Sequence, residues 1–333
     1  MKQTILFGNG INRLSGNDFE WGNLLKKVLK VDAFISEGVP YTHQFEDIYL
    51  NGKCDTNKLL ARSQNKKLDY KVKEALSQML KDSKFEESAK IYKQMSDLKA
   101  DYYMTTNYDG MFERTLEDNG YNCTRESVSS DYISIHRRIT YKLKGRHNIV
   151  FWPIHGDYRK YNTMMFGFDH YCSSLVTLGN YMREGQTRNG GYYDGNMYKG
   201  YKRRKSNSSY LFYSMRRREQ MNSRSFEIKF WSDLFFLTDV HIIGLGMDFT
   251  EIDLWWILNR RYKYSKYYGK RLDNHIYCYG YFEQTVYDML KAYGVDVSNA
   301  ITDKPKDNEY SQLYLDSVNK IREVINVRRS ICI

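Results

Sequence analysis

The sequence predicts an α/β fold: a Rossmann-like doubly wound parallel sheet with a helical insertion module and no zinc module. Three observations carry this. Short apolar runs alternate with segments of helical period, the pattern of a parallel sheet covered by helices. Several of those runs end abruptly in glycine or in a small polar residue, as strands do at a ligand-binding sheet edge. The chain has 333 residues, 41% of them hydrophobic, enough for a sizeable core.

Taken in order, residues 3–7 (Gln-Thr-Ile-Leu-Phe) read as a buried first strand, followed by a glycine turn. Trp21, Leu24, Leu25, Val28 and Leu29 then recur at helical spacing. Residues 40–99 are Lys-rich, and Leu68, Val72, Ala75, Leu76, Met79 and Leu80 are spaced for a helix, which predicts a helical insertion. Ala100 to Met104 is a short strand. Phe112, Glu113 and Leu116 open a helix that Asp118-Asn119-Gly120 closes. Asn148 to Trp152 is a strand running into Pro153. Residues 181–210, rich in Gly, Tyr, Asn, Ser and basic residues, read as a mobile loop or insertion. Residues 226–238 are helical, Val240 to Ile243 is a strand, Glu251 to Leu258 a helix, and His275 to Tyr279 a strand followed by helices. One domain over 1–333 is expected, with its core in 1–39, 100–171 and 226–333, a helical insertion at 40–99 and a basic, Tyr-rich insertion or loop at 172–225.

Composition excludes several classes. Three prolines leave no room for long Pro-rich linkers. No run approaches the roughly 18 apolar residues of a membrane span, and the first residues do not form a signal peptide, so a cytoplasmic protein is expected. The five cysteines form no CxxC pair, which argues against a zinc ribbon or a disulfide framework. The net charge of +11 is concentrated: residues 181–225 hold eleven Lys or Arg against three Asp or Glu.

Three strand-end segments carry chemistry: Gly8-Asn9-Gly10-Ile11-Asn12, Thr105-Thr106-Asn107-Tyr108-Asp109 and Pro153-Ile154-His155-Gly156-Asp157. Gly8 and Gly10 allow a backbone to approach a pyrophosphate, and a following helix N-terminus offers N–H groups to anions; a plain glycine turn is the alternative. Asn12 is placed to reach a ribose or a carboxamide. In an extended stretch Asn107 and Asp109 face one way while Tyr108 packs behind; helix capping is the alternative. His155, opened to one side by Gly156, has an ordinary pKa of roughly 6.5, suited to proton abstraction, and Asp157 either orients the ring or caps a turn. Gly244-Leu245-Gly246-Met247-Asp248 is a further close-approach turn, expected to meet the far half of a dinucleotide. Glu251 and Asp253 read as charges favouring a helix N-terminus.

Together these segments resemble the sirtuin-like domains of bacterial anti-phage defence proteins, the NAD-consuming effectors of Thoeris-type and related sirtuin systems. The resemblance covers the motif-bearing parts of residues 1–16, 100–171 and 240–258. Gly8 to Asn12 stands where sirtuins carry their glycine-rich phosphate loop. Thr105 to Asp109 is similar to the family's Thr-x-Asn-x-Asp motif, His155-Gly156 to its catalytic His-Gly, and Phe168-Asp169-His170-Tyr171 to a downstream acidic-aromatic element. The chain lacks the paired CxxC zinc module of deacylating sirtuins and their Pro-x-Phe-Arg element, and has Asn12 where those enzymes usually have Ser. These departures argue against protein deacylation and leave NAD cleavage intact.

The resemblance implies hydrolysis of NAD to nicotinamide and ADP-ribose, with NAD as substrate and no metal. Asn107 would hold the ribose hydroxyls or the attacking water, His155 would be the general base, and Asp109 would position the nicotinamide end. Gly8, Asn9, Gly10, Asn12 and Thr106 would line the phosphate and ribose side, and Gly244, Gly246 and Asp248 the adenosine side. An NAD-draining enzyme must be held off in its host, so a homo-oligomer and an activating partner are expected, such as a HerA-like ATPase or a nucleotide-processing subunit. Two other classes stand beside this: a non-catalytic subunit sensing NAD or ADP-ribose, and a nucleic-acid-binding subunit using the basic residues of 199–218, among them Lys202-Arg203-Arg204-Lys205 and Arg216-Arg217-Arg218.

Overall fold

The computed structural model describes residues 1–16, 21–29, 40–50, 65–81, 83, 85–126, 137–184, 228, 230–268 and 272–330. Within them lie strands β1 (Gln3–Phe7), β2 (Tyr102–Thr105), β3 (Asn122–Glu126), β4 (Ile139–Lys142), β5 (Ile149–Pro153), β6 (Asp239–Ile243), β7 (Ile276–Tyr281) and β8 (Asp296–Ile301). The helices among the described residues are α1 (Trp21–Leu29), α2 (Tyr41–Leu50), α3 (Asn65–Lys81), α4 (Glu86–Ser96), α5 (Met111–Asp118), α6 (Phe168–Glu184), α7 (Trp231–Leu237), α8 (Ile252–Tyr268), α9 (Gln284–Ala292) and α10 (Tyr310–Ser330).

All eight strands form one sheet in the order β3-β4-β5-β2-β1-β6-β7-β8. β5, β2, β1, β6, β7 and β8 run parallel. The sheet as a whole is mixed rather than parallel, because β3 and β4 extend one edge in antiparallel pairing. The six parallel strands, counted along the chain, stand in the order 3-2-1-4-5-6, and that order reverses between β1 and β6. Such a reversal opens a crevice at the carboxyl ends of the strands, where connections leave toward opposite faces.

Every residue of β1 and β6 is buried, the polar Gln3, Thr4, Asp239 and His241 included, as befits interior strands covered on both faces. Alternation sorts their side chains to the two faces. Leu6, Met104, Trp152 and Ile242 pack on one side against Leu234 of α7 and Leu254, Ile257 and Leu258 of α8. Ile5, Phe7, Tyr103 and Phe151 pack on the other against Tyr92 and Met95 of α4, Phe112 of α5 and Val318 and Ile321 of α10. A third, smaller core joins Leu24 and Leu25 of α1, Phe45 of α2 and Val72, Leu76 and Leu80 of α3 around Tyr108 and Phe166. Helices α2 and α3 of the 40–99 stretch therefore pack against the connections that leave β2 and β5, whereas α4 lies on the sheet itself and belongs to the main core.

Helix α5 ends as its sequence predicts: Gly120, at φ 83°, lets the Tyr121 amide bond back to Leu116 O at 2.9 Å. Four elements differ from the sequence reading. The antiparallel pair β3 and β4 was not expected, nor was β8 among the C-terminal helices. Residues 172–184, expected within the basic insertion, continue α6 as helix. The basic stretch 199–218 lies outside the described residues. Among the described residues, no helix is long and apolar enough to cross a membrane.

Candidate active site

Strand register brings the motif segments onto one line. Pro153 pairs with Thr105, Thr105 with Phe7, and Phe7 with Ile243, so β5, β2, β1 and β6 end level. The segments that begin at Gly8, Thr106, Ile154 and Gly244 all leave this single row at the carboxyl edge. Backbone bonds knit them further: Ile154 N donates to Thr105 O at 2.9 Å, and Tyr158 N to Tyr108 O at 2.8 Å.

The first turn is glycine-rich because another turn presses against it. The Gly8 amide donates to Ile243 O at 3.3 Å and the Gly10 amide to Gly244 O at 2.8 Å. A Cβ on Gly8 would stand 2.9 Å from Leu245 Cα, one on Gly10 2.7 Å from Gly244 O, and one on Gly244 2.6 Å from Ile11 Cγ1. Gly244 also holds φ at 63°, where a side chain is disfavoured. Gly8 and Gly10 thus serve an interlock between the β1 and β6 turns. Their amides are engaged by protein carbonyls, so the close approach that these glycines allow is in the first place that of one turn to the other. The turn leads into a short 3-10 segment, Asn12–Ser15, rather than directly into an α-helix.

Asn12 is buried and its amide is fully used. Nδ2 donates to Asp109 Oδ2 at 2.6 Å and to Asn9 Oδ1 at 3.1 Å, and Oδ1 accepts from the Tyr92 hydroxyl at 2.6 Å. The expected reach to a ribose is therefore replaced by a clamp between segments. Asp109 is equally engaged, since its other oxygen accepts from the amide of Met111, the first residue of α5, at 2.8 Å. Burial pushes its carboxyl pKa up, opposed by the Met111 amide and Asn12. The sequence reading gave Asp109 to the nicotinamide end; the geometry makes it a strut that holds the first two segments together. Thr106 is buried beside it, its amide directed at Phe7 O at 3.4 Å.

Asn107 differs from its neighbours. Thr105 Oγ1 accepts its amide at 3.1 Å, and its Nδ2 lies 3.4 Å from the Tyr92 hydroxyl. Its Oδ1 is buried and has no hydrogen-bond partner. Tyr92, from α4, joins Asn12 to Asn107 and belongs to the site although nothing in its local sequence marks it.

His155 is buried at the end of β5, its ring edge-on to Tyr171 at a centroid distance of 5.4 Å. Nε2 lies 3.0 Å from Asp253 Oδ2, and Nδ1 lies 3.5 Å from Glu251 Oε2. Burial by itself disfavours the imidazolium, but the two carboxylates outweigh it and raise the His155 pKa to about 9. The two carboxylates thus favour the protonated ring, where the sequence reading took an ordinary imidazole pKa. Burial pushes the Glu251 carboxyl up to about 7, with His155 opposing and Asp253 and Asp248 adding to the rise. Neither Glu251 nor Asp253 is only a favourable charge at a helix start: Asp253 also accepts from Leu254 N at 2.9 Å, but its second oxygen belongs to His155.

Ligand atoms of His155, Glu251 and Asp253 fall within 4.8 Å of one another, a spacing compatible with a metal ion. Each ring nitrogen, however, faces its own carboxylate, so the arrangement is that of an imidazolium held between two anions. A metal would have to displace a proton from one of these pairs.

Two further expectations change. Asp157 does not orient His155; it pairs with Arg137 at 3.1 Å and Arg159 at 2.9 Å, and Arg159 continues to Glu113 at 2.8 Å. Gly156 does not open space beside the imidazole. It sits at φ 107°, and a Cβ there would meet Thr163 O at 2.3 Å. In the motif at 168–171, Tyr171 packs on His155, while His170 accepts the Phe166 and Gly167 amides at 3.1 Å each.

On the β6 side, Gly246 and Asp248 are exposed. Asp248 Oδ1 accepts from Thr250 N at 2.8 Å, and its carbonyl accepts from Glu251 N at 2.9 Å and Trp255 Nε1 at 3.2 Å, which fixes the turn that delivers Glu251 and Asp253.

The site therefore holds two polar groups along one sheet edge: Asn9, Asn12, Asp109, Tyr92 and Asn107 in one, and His155, Glu251, Asp253 and Tyr171 in the other. No protein-family model matches the chain, and no curated protein matches it.

Proposed function

We propose that the protein hydrolyses NAD to nicotinamide and ADP-ribose at this edge, through a sirtuin-like site. One observation carries the reading. Asn107 is held by Tyr92 and Thr105, yet its Oδ1 is buried with no partner. A buried amide oxygen left unpaired costs roughly 1–3 kcal/mol, and a ribose hydroxyl or a water at that position would remove the cost. Supporting it, the 3-2-1-4-5-6 order of the parallel strands is that of Rossmann-like dinucleotide-binding sheets, and the motif segments leave the carboxyl edge at and beside its switch point.

Cleavage of the nicotinamide–ribose bond passes through an oxocarbenium-like state, which needs fixed geometry and nearby negative charge. The His155–Glu251–Asp253 group carries a net charge of minus one when His155 is protonated and both carboxylates are ionised. The exposed Gly246 and Asp248 suit the adenosine side. By the resemblance, the protein would act as an NAD-depleting effector in anti-phage abortive infection, kept inactive until a partner or self-assembly releases it.

The test is direct. Purified protein is incubated with NAD, alone and with the products of neighbouring genes, and nicotinamide and ADP-ribose are quantified. Asn107→Ala and His155→Ala are each expected to lower turnover by two or more orders of magnitude. Full turnover in both variants sinks the assignment. Tight NAD binding without product under every condition would instead support a sensing subunit.

A further inference from the structure

We infer that Glu251, not His155, takes the proton from the attacking water, and that His155 and Asp253 are positioning residues for it. The inference rests on the NAD-hydrolysis reading and assigns the base within that site.

The first reason is that His155 is enclosed by the two carboxylates, with one ring nitrogen hydrogen-bonded and the other facing an anion without a hydrogen bond. Nε2 is directed at Asp253 at 3.0 Å and Nδ1 at Glu251 at 3.5 Å, while the ring packs edge-on to Tyr171. An imidazolium so placed has no lone pair to accept a proton. The second reason comes from the carboxylates. Asp253 is engaged at both oxygens, by His155 and by Leu254 N. Asp109 is engaged at both, by Asn12 and by Met111 N. Glu251 Oε2 is buried and faces His155 Nδ1 at 3.5 Å with no hydrogen bond between them, and the side chain as a whole keeps 16% of its surface accessible. It is therefore the carboxylate of this group that has open lone pairs and a route by which a proton can leave.

The groups facing Glu251 come from every neighbouring element: His155 at the end of β5, Asp248 in the turn after β6, Asp253 at the start of α8, and the tyrosines Tyr108 after β2 and Tyr171 on α6. Among them His155 supplies positive charge. Its cation keeps Glu251 ionisable despite burial, and Asp253 keeps His155 charged. A carboxyl that titrates at about 7 is well matched to proton transfer near neutral pH.

The step balances. The C1′–N bond of NAD breaks, and its electron pair returns to the nicotinamide ring, which leaves as a neutral base. A water lone pair forms the new C1′–O bond. The water proton moves to a Glu251 oxygen and then to solvent, so the products are nicotinamide, ADP-ribose and one proton.

The experiment compares wild type, Glu251→Gln and Glu251→Ala under the conditions in which wild type turns over NAD, with circular dichroism confirming the fold of each. Glu251→Gln is expected to lose about 10²–10⁴-fold in kcat with the KM for NAD little changed. Wild-type kcat is expected to fall as pH drops through about 7. Formate added to Glu251→Ala is expected to restore part of the rate, with the acid limb moved to lower pH because formic acid is the stronger acid. Glu251→Gln with more than half the wild-type kcat overturns the inference, and so does a folded Glu251→Ala that formate does not rescue; in either case NAD hydrolysis stands. A wild type that releases no nicotinamide under any condition fails at the earlier step, the NAD reading itself.

Discussion

Asp253→Asn removes a charge beside His155 while keeping a hydrogen-bond acceptor of the same shape. In the folded protein the His155 pKa rises from the ordinary 6.5 to about 9. Each tenfold gain in proton affinity is worth about 1.4 kcal/mol, so the whole rise corresponds to about 3 kcal/mol of folding stability. Asp253 is the larger of the two raising influences, ahead of Glu251, and about 2 kcal/mol of that total is expected to vanish with its charge. The sign follows from linkage: a group whose pKa is raised on folding stabilises the fold fully below its unfolded pKa, and the gain is lost as pH rises through the folded value. The cost of Asp253→Asn is therefore greatest near pH 6, smaller at pH 7.5 and close to zero at pH 9.5, where His155 is mostly neutral in both proteins. Urea denaturation at these three pH values measures it. A destabilisation that stays constant from pH 6 to 9.5 would refute the charge argument and leave only a packing defect.

Other substitutions test the geometry of the edge. Gly10→Ala places a methyl 2.7 Å from Gly244 O and 2.6 Å from the Tyr314 hydroxyl, and about 1–3 kcal/mol of stability is expected to be lost; Gly246→Ala, with nothing within 4 Å, is the control and should leave the melting temperature unchanged. Tyr92→Phe leaves Asn12 Oδ1 without its donor. A loss of about 1–3 kcal/mol and a fall in NAD turnover are expected together, and full stability in a thermal melt would show that the hydroxyl bridge carries nothing.

How much of this architecture could be read from the residues depends on where each element lies. β1, β2, β5 and β6 are interior strands buried on both faces, so they stand out as apolar runs, and the Gly, Asn and His segments that punctuate them were found at the right edge. β3, β4 and β8 lie at or next to the rims of the sheet. β3 is Asn-Cys-Thr-Arg-Glu, and β8 buries only Val297 of its six residues, so neither offers a period to detect. Within the candidate site, the segments were located at one sheet edge but several side-chain partners were not foreseen. Asn12, Asp109 and Asp157 have the chemistry of ligand-binding side chains, yet other parts of the protein satisfy them. The pairing of His155 with Asp253 spans 98 positions, and Glu251 and Asp253 obey a local helix-start rule well enough to hide it. Tyr92 gave no local sign at all, because a tyrosine in an amphipathic helix is ordinary core until its hydroxyl is seen between two asparagines.

The interlocked turns also set an order of assembly. Gly8 and Gly10 sit near the beginning of the chain, and their backbone partners, Ile243 and Gly244, sit far along it. A nascent chain emerging from the ribosome has its first strand, its Asn107 segment and His155 long before it has the turn that fixes the first loop or the two carboxylates that charge the imidazole. The edge can close only after β6 and the start of α8 have been synthesised. A chain that stalls or is cut before Val240 would carry every motif at 1–171 and still lack Gly244, Glu251 and Asp253, the partners that complete this edge.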